Sequence, residues 1–314
     1  MKIFVAGATG ALGRQLVPRL VAAGHAVVAI ARSASREEAV RRLGATPVVA
    51  DALDRDAVAA AVAEVVPDVI VHQLTALPQS LDVRHFDREL VATNRLRTAG
   101  TDHLLSAGRA VGVRRFVAQS FAGWPYARSG GPVKTEEDPL DPSPPPAMRS
   151  TLEAIRHLED AVVNAEWTEG VVLRYGTFYG PGTALRADGE IVEQIRRRRF
   201  PLVGDGGGVW SFVHVEDAAD ATVAAVERGR RGIYNIVDDE PVPAADWLPA
   251  LATAMAARPP LRVPRALGRL LAGEAATVMM TEVRGASNAK AKASLCWRPR
   301  HASWREGFAE LAAT

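Results

Sequence analysis

Residues 2–14 read Lys2-Ile-Phe-Val-Ala-Gly7-Ala-Thr-Gly10-Ala-Leu-Gly13-Arg14, and this stretch decides the fold. Lys2–Ala6 is a short β-branched and aromatic run, Ala11–Ala23 carries apolar residues at helical spacing, and Ala26–Ala31 is again continuously apolar. Together they make one βαβ unit. The glycine turn places bare backbone N–H groups at the positive end of the first helix, where a pyrophosphate belongs. Gly7 allows the tight turn, Gly10 lets the backbone approach a phosphate with no Cβ in the way, and Gly13 lets the helix pack closely on the strand.

Outward from this unit the same rhythm repeats. Strand candidates stand at Pro47–Ala50, Val69–His72, Arg115–Ala118 and Val171–Arg174, separated by helical stretches such as Asp54–Val65 and Thr101–Ala110. Such alternation implies an α/β fold, a Rossmann-type doubly wound parallel sheet covered on both faces. Pro18 inside the first helix predicts a kink. The Gly- and Pro-rich segment Phe121–Ala147 is too long for a plain connection, and its Trp124 and Tyr126 predict a loop that packs. Beyond Arg174 the pattern loosens into Gly/Pro turns, with a further strand at Gly232–Val237. The organisation expected is a cofactor domain over residues 1–175, to which a strand near 210–237 is a candidate to return, and a smaller C-terminal substrate lobe over 176–314.

The end of the second strand selects the dinucleotide, because a carboxylate there holds a ribose 2′-hydroxyl whereas an arginine accommodates a 2′-phosphate. Here it reads Ala31-Arg32-Ser33. The guanidinium can pair with the phosphate and Ser33 can add a hydroxyl donor, so NADP is expected over NAD; the alternative is an Arg32 that only caps the strand end or stacks on adenine. Composition narrows the rest. Of 314 residues 48% are hydrophobic and 24% charged, and 38 Lys+Arg against 36 Asp+Glu leave a formal charge of +2, too small for a nucleic-acid footprint. The partner expected is a small molecule. Cys296 is the sole cysteine, and Met1 leads straight into a strand without a basic segment and cleavage site, which predicts a cytoplasmic protein. The apolar stretch Val62–Val71 is broken by Glu64, Pro67 and Asp68, so no membrane span is expected. No His, Cys, Asp or Glu spacing matches a metal site. A homodimer is among the assemblies left open.

These residues resemble the extended short-chain dehydrogenase/reductase family, also called the NAD-dependent epimerase/dehydratase family, along nearly the whole chain. Besides the glycines, the resemblance rests on Asp51-Ala-Leu-Asp54, Asp68-Val-Ile-Val-His72-Gln-Leu-Thr75, Asn94, Gly100-Thr101, Gly112–Val117, Leu173–Gly182 and Phe212-Val-His-Val-Glu-Asp217. It implies that Asp51 lies near the adenine and that the end of the fourth strand runs along the cofactor. The cofactor-facing set it implies is Gly7, Thr9, Gly10, Ala11, Leu12, Gly13, Arg32, Ser33, Asp51, Ala52, Gln73, Leu74, Thr75, Asn94, Ser120 and Tyr175.

The family's catalytic pair does not carry over. Its members use Tyr-x-x-x-Lys on the helix after the long loop, where Lys lowers the Tyr pKa so that Tyr can exchange a proton. In the best register Met148 stands for that Tyr and Leu152 for that Lys. The family's Ser/Thr falls on Phe121 or, one residue earlier, on Ser120. The family's arginine for a sugar-nucleotide diphosphate is also missing, since the segment reads Gly208-Val-Trp210-Ser-Phe212, while Arg196–Arg199 reads as a solvated helix end, the alternative being a replacement for that lost charge. Candidates for a proton donor are then Ser120, Tyr126 and Tyr179, with Lys134 and His214 behind them. The sequence therefore predicts an NADP(H)-dependent oxidoreductase or epimerase-like enzyme acting on a small, weakly charged carbonyl or alcohol through a non-standard donor. Its rival is an inactive NADP(H)-binding sensor or partner-binding protein.

Overall fold

The computed structural model describes residues 1–78 and 81–313. Seven parallel strands form the central sheet: β1 (Lys2–Ala6), β2 (Ala26–Ala31), β3 (Thr46–Val49), β4 (Val69–His72), β5 (Arg115–Phe121), β6 (Glu169–Tyr175) and β7 (Gly232–Ile236). Their spatial order is β7-β6-β5-β4-β1-β2-β3, so the winding reverses between β1 and β4. Ligands of doubly wound sheets bind at that switch point, beyond the carboxyl ends of the strands. The core helices are α1 (Ala11–Ala22), α2 (Ala34–Arg42), α3 (Arg55–Val65), α4 (Thr101–Val111), α5 (Arg149–Val163) and α6 (Val215–Arg228). Side chains alternate along each strand, and both faces are apolar for that reason. Ile3 and Val5 of β1 join Leu16 and Val17 of α1 and Ala218 and Ala221 of α6, whereas Phe4 and Ala6 join Val58 and Val62 of α3, Leu104 of α4 and Leu158 of α5.

The strand expectations shift at their ends. β3 begins at Thr46 and takes Pro47 into the ladder, which an edge strand tolerates. β5 and β6 are longer than periodicity implied, because seven residues of each stay in register from Arg115↔Glu169 to Phe121↔Tyr175. α1 passes through the solvent-facing Pro18, and helical bonding resumes beyond it, with Ala23 N donating to Arg19 O. Residues 121–147 pack in part: Tyr126 is fully buried and Val133–Lys134 pairs with Gly285–Ala286, while Ser129–Val133 are exposed. α6 and β7 return to the sheet, where β7 pairs with β6. The residues outside it enclose a separate core of Leu185, Phe212, Trp247, Leu251, Trp304 and Phe308, joined to the sheet by the short parallel pair Thr177–Tyr179 and Phe212–His214.

Candidate active site

The β1–α1 turn is shaped by its glycines in three different ways. Gly7 has φ +110°, and a Cβ there would fall 2.6 Å from Gln73 O. A Cβ on Gly13 would fall 2.2 Å from Gly7 O, whereas one on Gly10 would meet that oxygen at an unforced 3.5 Å. Gly7 and Gly13 are thus required by the protein's own packing. Gly10 is not, and its missing side chain leaves open the approach to the helix. α1 has no side-chain cap and no acidic residue in its first turn, so its leading N–H groups keep their affinity for an anion. Gly182, at φ +77°, brings the turn after the Thr177–Tyr179 strand close above Ala11. The residues present fit a dinucleotide pyrophosphate.

Arginines surround this turn. Arg14 Nε donates to Thr9 O at 3.0 Å, and Arg36, in the first turn of α2, donates to Thr9 Oγ1 at 2.9 Å. Arg32 and Ser33 are exposed at the end of β2, with Ser33 Oγ 3.0 Å from Ser35 Oγ. Asp51 accepts from Leu53 N and so shapes its own turn, and Ala52 O lies 3.1 Å from His103 Nδ1. Ala11 is half-buried and Leu12 buried at the start of α1.

At the carboxyl edge of β4 and β5 the polar side chains are occupied. His72, fully buried, sits 3.1 Å from Thr101 Oγ1 and accepts from Leu74 N at Nδ1; burial, with Arg97 nearby, lowers it to about 4. Ser120, 3% exposed, donates to Glu159 Oε1 at 2.6 Å. That carboxylate is also held by Arg174, with Nε on Oε1 at 2.7 Å and Nη2 on Oε2 at 2.5 Å. Arg174 donates in turn to Tyr126 OH, which donates to Asn235 Oδ1 at 2.6 Å. Tyr175 is buried with its hydroxyl between Thr222 Oγ1 and Gln73 Nε2, on the α1/α6 face of the sheet. Asn94 donates to Thr151 Oγ1 at 3.0 Å, and half-buried Leu74 and Thr75 follow Gln73 along the same edge.

Where a Tyr and a Lys would supply a proton stand Met148 and Leu152, each 1% exposed. Met148 packs with Phe86, Leu90, Trp124, Ala275 and Met279, and Trp124 leans on Phe121 at 6.5 Å. This wall is apolar and aromatic and has no group that titrates near neutrality. The other candidate donors lie elsewhere, and the Tyr179 hydroxyl is buried without a hydrogen-bond partner. Tyr179 lies inside the C-terminal core against His214 and Phe308 and is fully buried, and burial raises it and Tyr126 above the usual phenol range. Lys134 Nζ binds Ser129 O and Asp138. His214 caps α6 by accepting from Glu216 N. His214 also stacks on His301, 3.9 Å between centroids, and His301 bonds Asp217, so the fold brings together three ligand-type groups whose spacing in sequence gave no hint. Trp210 stacks on Phe212 and donates to Met279 O, while Arg196, Arg197 and Arg199 are exposed at and just past the end of the helix Glu190–Arg196.

Sequence reasoning missed Arg36, Glu159, Arg174 and Arg97. A signal existed for one of them, since Arg174 interrupts the apolar run Val171-Val-Leu-Arg174-Tyr, and a charge in a buried strand demands a partner. Nothing local pointed to Glu159 as that partner.

Comparison with known proteins agrees with this geometry. The sequence profile described as NAD dependent epimerase/dehydratase family matches residues 3–237. A Streptomyces sp. 3-diazoavenalumate denitrifying reductase is 46% identical over 309 residues, 98% of this chain and 99% of that protein. A UDP-glucose 4-epimerase from Thermus thermophilus, solved with NAD, superposes with a TM-score of 0.74 at 25% identity, covering 100% of this chain and 98% of the other. A UDP-glucose 4-epimerase of Thermotoga maritima, solved with UDP-glucose, gives a TM-score of 0.76 at 22% identity over 100% and 98%. Among the described residues no helix is long and apolar enough to cross a membrane.

Proposed function

Since the chain belongs to the NAD-dependent epimerase/dehydratase family, whose members bind a nicotinamide dinucleotide, we propose that it is an NADPH-dependent reductase that removes nitrogen from an aromatic diazo carboxylate. The observation that carries this reading is the chemistry of the site: the glycine turn is intact, while buried Met148, packed with Trp124 and Phe86, and buried Leu152 hold the positions matched to the family's Tyr and Lys and offer no proton. Reduction of a carbonyl leaves an alkoxide that must be protonated, and a positioned acid is worth on the order of 10²–10⁴-fold in rate. The bound cofactor supplies a hydride, and an arenediazonium cation that accepts it becomes the arene and dinitrogen, with atoms and charge balanced and no proton required. The 46% identical relative is named for such a denitrifying reduction of a diazo acid.

Within this reading the protein's own residues bind and orient. Gly7, Gly10 and the leading N–H groups of α1 hold the pyrophosphate. Arg32 and Ser33, with Arg36 braced on Thr9 and Arg14 beside it, receive the 2′-phosphate, which supports NADPH over NADH. Phe121, Trp124 and Phe86 offer ring faces and edges to an aromatic substrate and exclude water from it. Ser120 spends its proton on Glu159 and therefore presents an acceptor oxygen to whatever lies at the end of β5.

The test is turnover of an arenediazonium carboxylate, followed as loss of nicotinamide absorbance and gain of arene. The expectation is oxidation of NADPH at least about tenfold more efficiently than of NADH, with Arg36→Glu erasing the difference. Saturable NADPH binding without turnover of any diazo or carbonyl compound would instead support the inactive sensor.

A further inference from the structure

Arg97 is a cation buried beside the candidate site without a counter-ion. It belongs to the π-helical turn Leu96–Gly100 that leads into α4, and it is 9% exposed. Among the described residues no carboxylate comes within ion-pair range of it, and its guanidinium hydrogen bond is a long one, 3.5 Å to Asn94 Oδ1. Glu159 is the carboxylate whose charge reaches it, but both oxygens of Glu159 are already taken, Oε1 by Ser120 and Arg174 Nε and Oε2 by Arg174 Nη2. The buried set thus holds two cations and one anion. His72, close enough to feel Arg97, is kept neutral. Burial lowers Arg97 itself to about 10, which still leaves it charged at neutral pH. Charged groups are seldom buried without a partner, because desolvation is repaid only by an opposite charge at short range.

Its surroundings indicate where that charge would come from. Asn94, its hydrogen-bond partner, reaches Thr151, the residue before Leu152 on α5. The preceding residue Thr93 accepts from Ala76 N at 3.0 Å, so the segment leaving β4 lies across the same helical turn. The cofactor's phosphates have their own receptors at the β1–α1 turn and the end of β2. We infer that Arg97 receives the carboxylate of the bound substrate, where β4, the α4 entry turn and the start of α5 meet. This rests on the reading of the substrate as an aryl acid given above.

The experiment uses the NADPH-loaded protein titrated with cinnamate and with its uncharged methyl ester, read by quenching of nicotinamide fluorescence. The acid should bind at least about tenfold more tightly than the ester, as a charge-assisted pair predicts. Arg97→Met should lose that preference while its NADPH Kd stays within about twofold, and Arg97→Lys should recover part of it. Ligand-free Arg97→Met should melt no lower than wild type, since the fold gives up only an unpaired buried cation. The inference is overturned if wild type binds acid and ester alike or if Arg97→Met keeps the preference for the acid. It is equally overturned if NADPH binding falls instead, which assigns the charge to the cofactor, or if both variants melt well below wild type, which assigns it to the fold. Failure of every diazo compound to turn over would refute the proposed reaction and still leave this binding comparison decisive.

Discussion

Gly10 and Gly13 are three residues apart in one motif, yet the structure asks different things of them. A Cβ at Gly13 would collide with Gly7 O at 2.2 Å, against backbone that cannot move aside cheaply, whereas at Gly10 the nearest atom is 3.5 Å away. Gly13→Ala should therefore destabilise the protein by about 1–3 kcal/mol, the usual range for overpacking. Gly10→Ala should melt like wild type and weaken NADPH binding at least about tenfold, because its methyl occupies ligand space. Thermal melting together with fluorescence titration separates the two; equal losses of melting temperature would contradict the division. These glycines were legible because they act within one short turn of the chain. Arg36 was not, since its contact with Thr9 forms only once α2 folds back across the β1–α1 turn. The tyrosines misled for a related reason. Tyr126 and Tyr179 carry hydroxyls in sequence, but the fold commits Tyr126 to Asn235 and buries Tyr179 in the C-terminal core against His214 and Phe308.

At the level of elements, the strands and helices up to Arg174 followed from hydrophobic period with errors at their ends, where register with a neighbour sets the length, whereas beyond Arg174 whole helices such as Ala244–Ala254 and Arg265–Thr281 were missed. Asp238, just past β7, shows what period cannot reveal. Its N–H reaches Phe212 O, it is 1% exposed, and burial raises its carboxyl from 3.8 to about 8. The folded chain therefore keeps a proton there that the unfolded chain releases above about pH 4. Stability from this group is complete below that pH and is lost as pH rises toward 8. Asp238→Asn, neutral throughout, should flatten the fall in melting temperature across this window and should gain most on wild type at its upper end. Parallel melting curves at every pH would show that the junction between β7 and the C-terminal core does not titrate in this way.

Across the whole molecule the formal charge is only +2, and that near balance hides a local excess. Arg36 and Arg14 meet at Thr9 in the glycine turn with Arg32 exposed at the end of β2, and Arg97 is buried near the Glu159 carboxylate that Arg174 already holds. The doubly wound sheet and the glycine turn were readable because both are written in local patterns. The buried Ser120, Glu159, Arg174, Tyr126 network was not, because it joins β5, α5, β6 and the long loop, and contacts of that range leave no period in the sequence. The network bears on the functional argument, since it engages Ser120 and Tyr126, and with nearby His72 lowered to about 4 and the buried tyrosines raised none of these groups changes charge near neutrality. The most direct measurement is the pH dependence of kcat/KM for NADPH-driven reduction of an arenediazonium carboxylate between about pH 5.5 and 7.5. A hydride transfer that needs no enzyme acid should give a profile flat to within about threefold over that span. A limb with an apparent pKa inside it, or faster turnover of the matching ketone than of the diazo compound, would contradict the account.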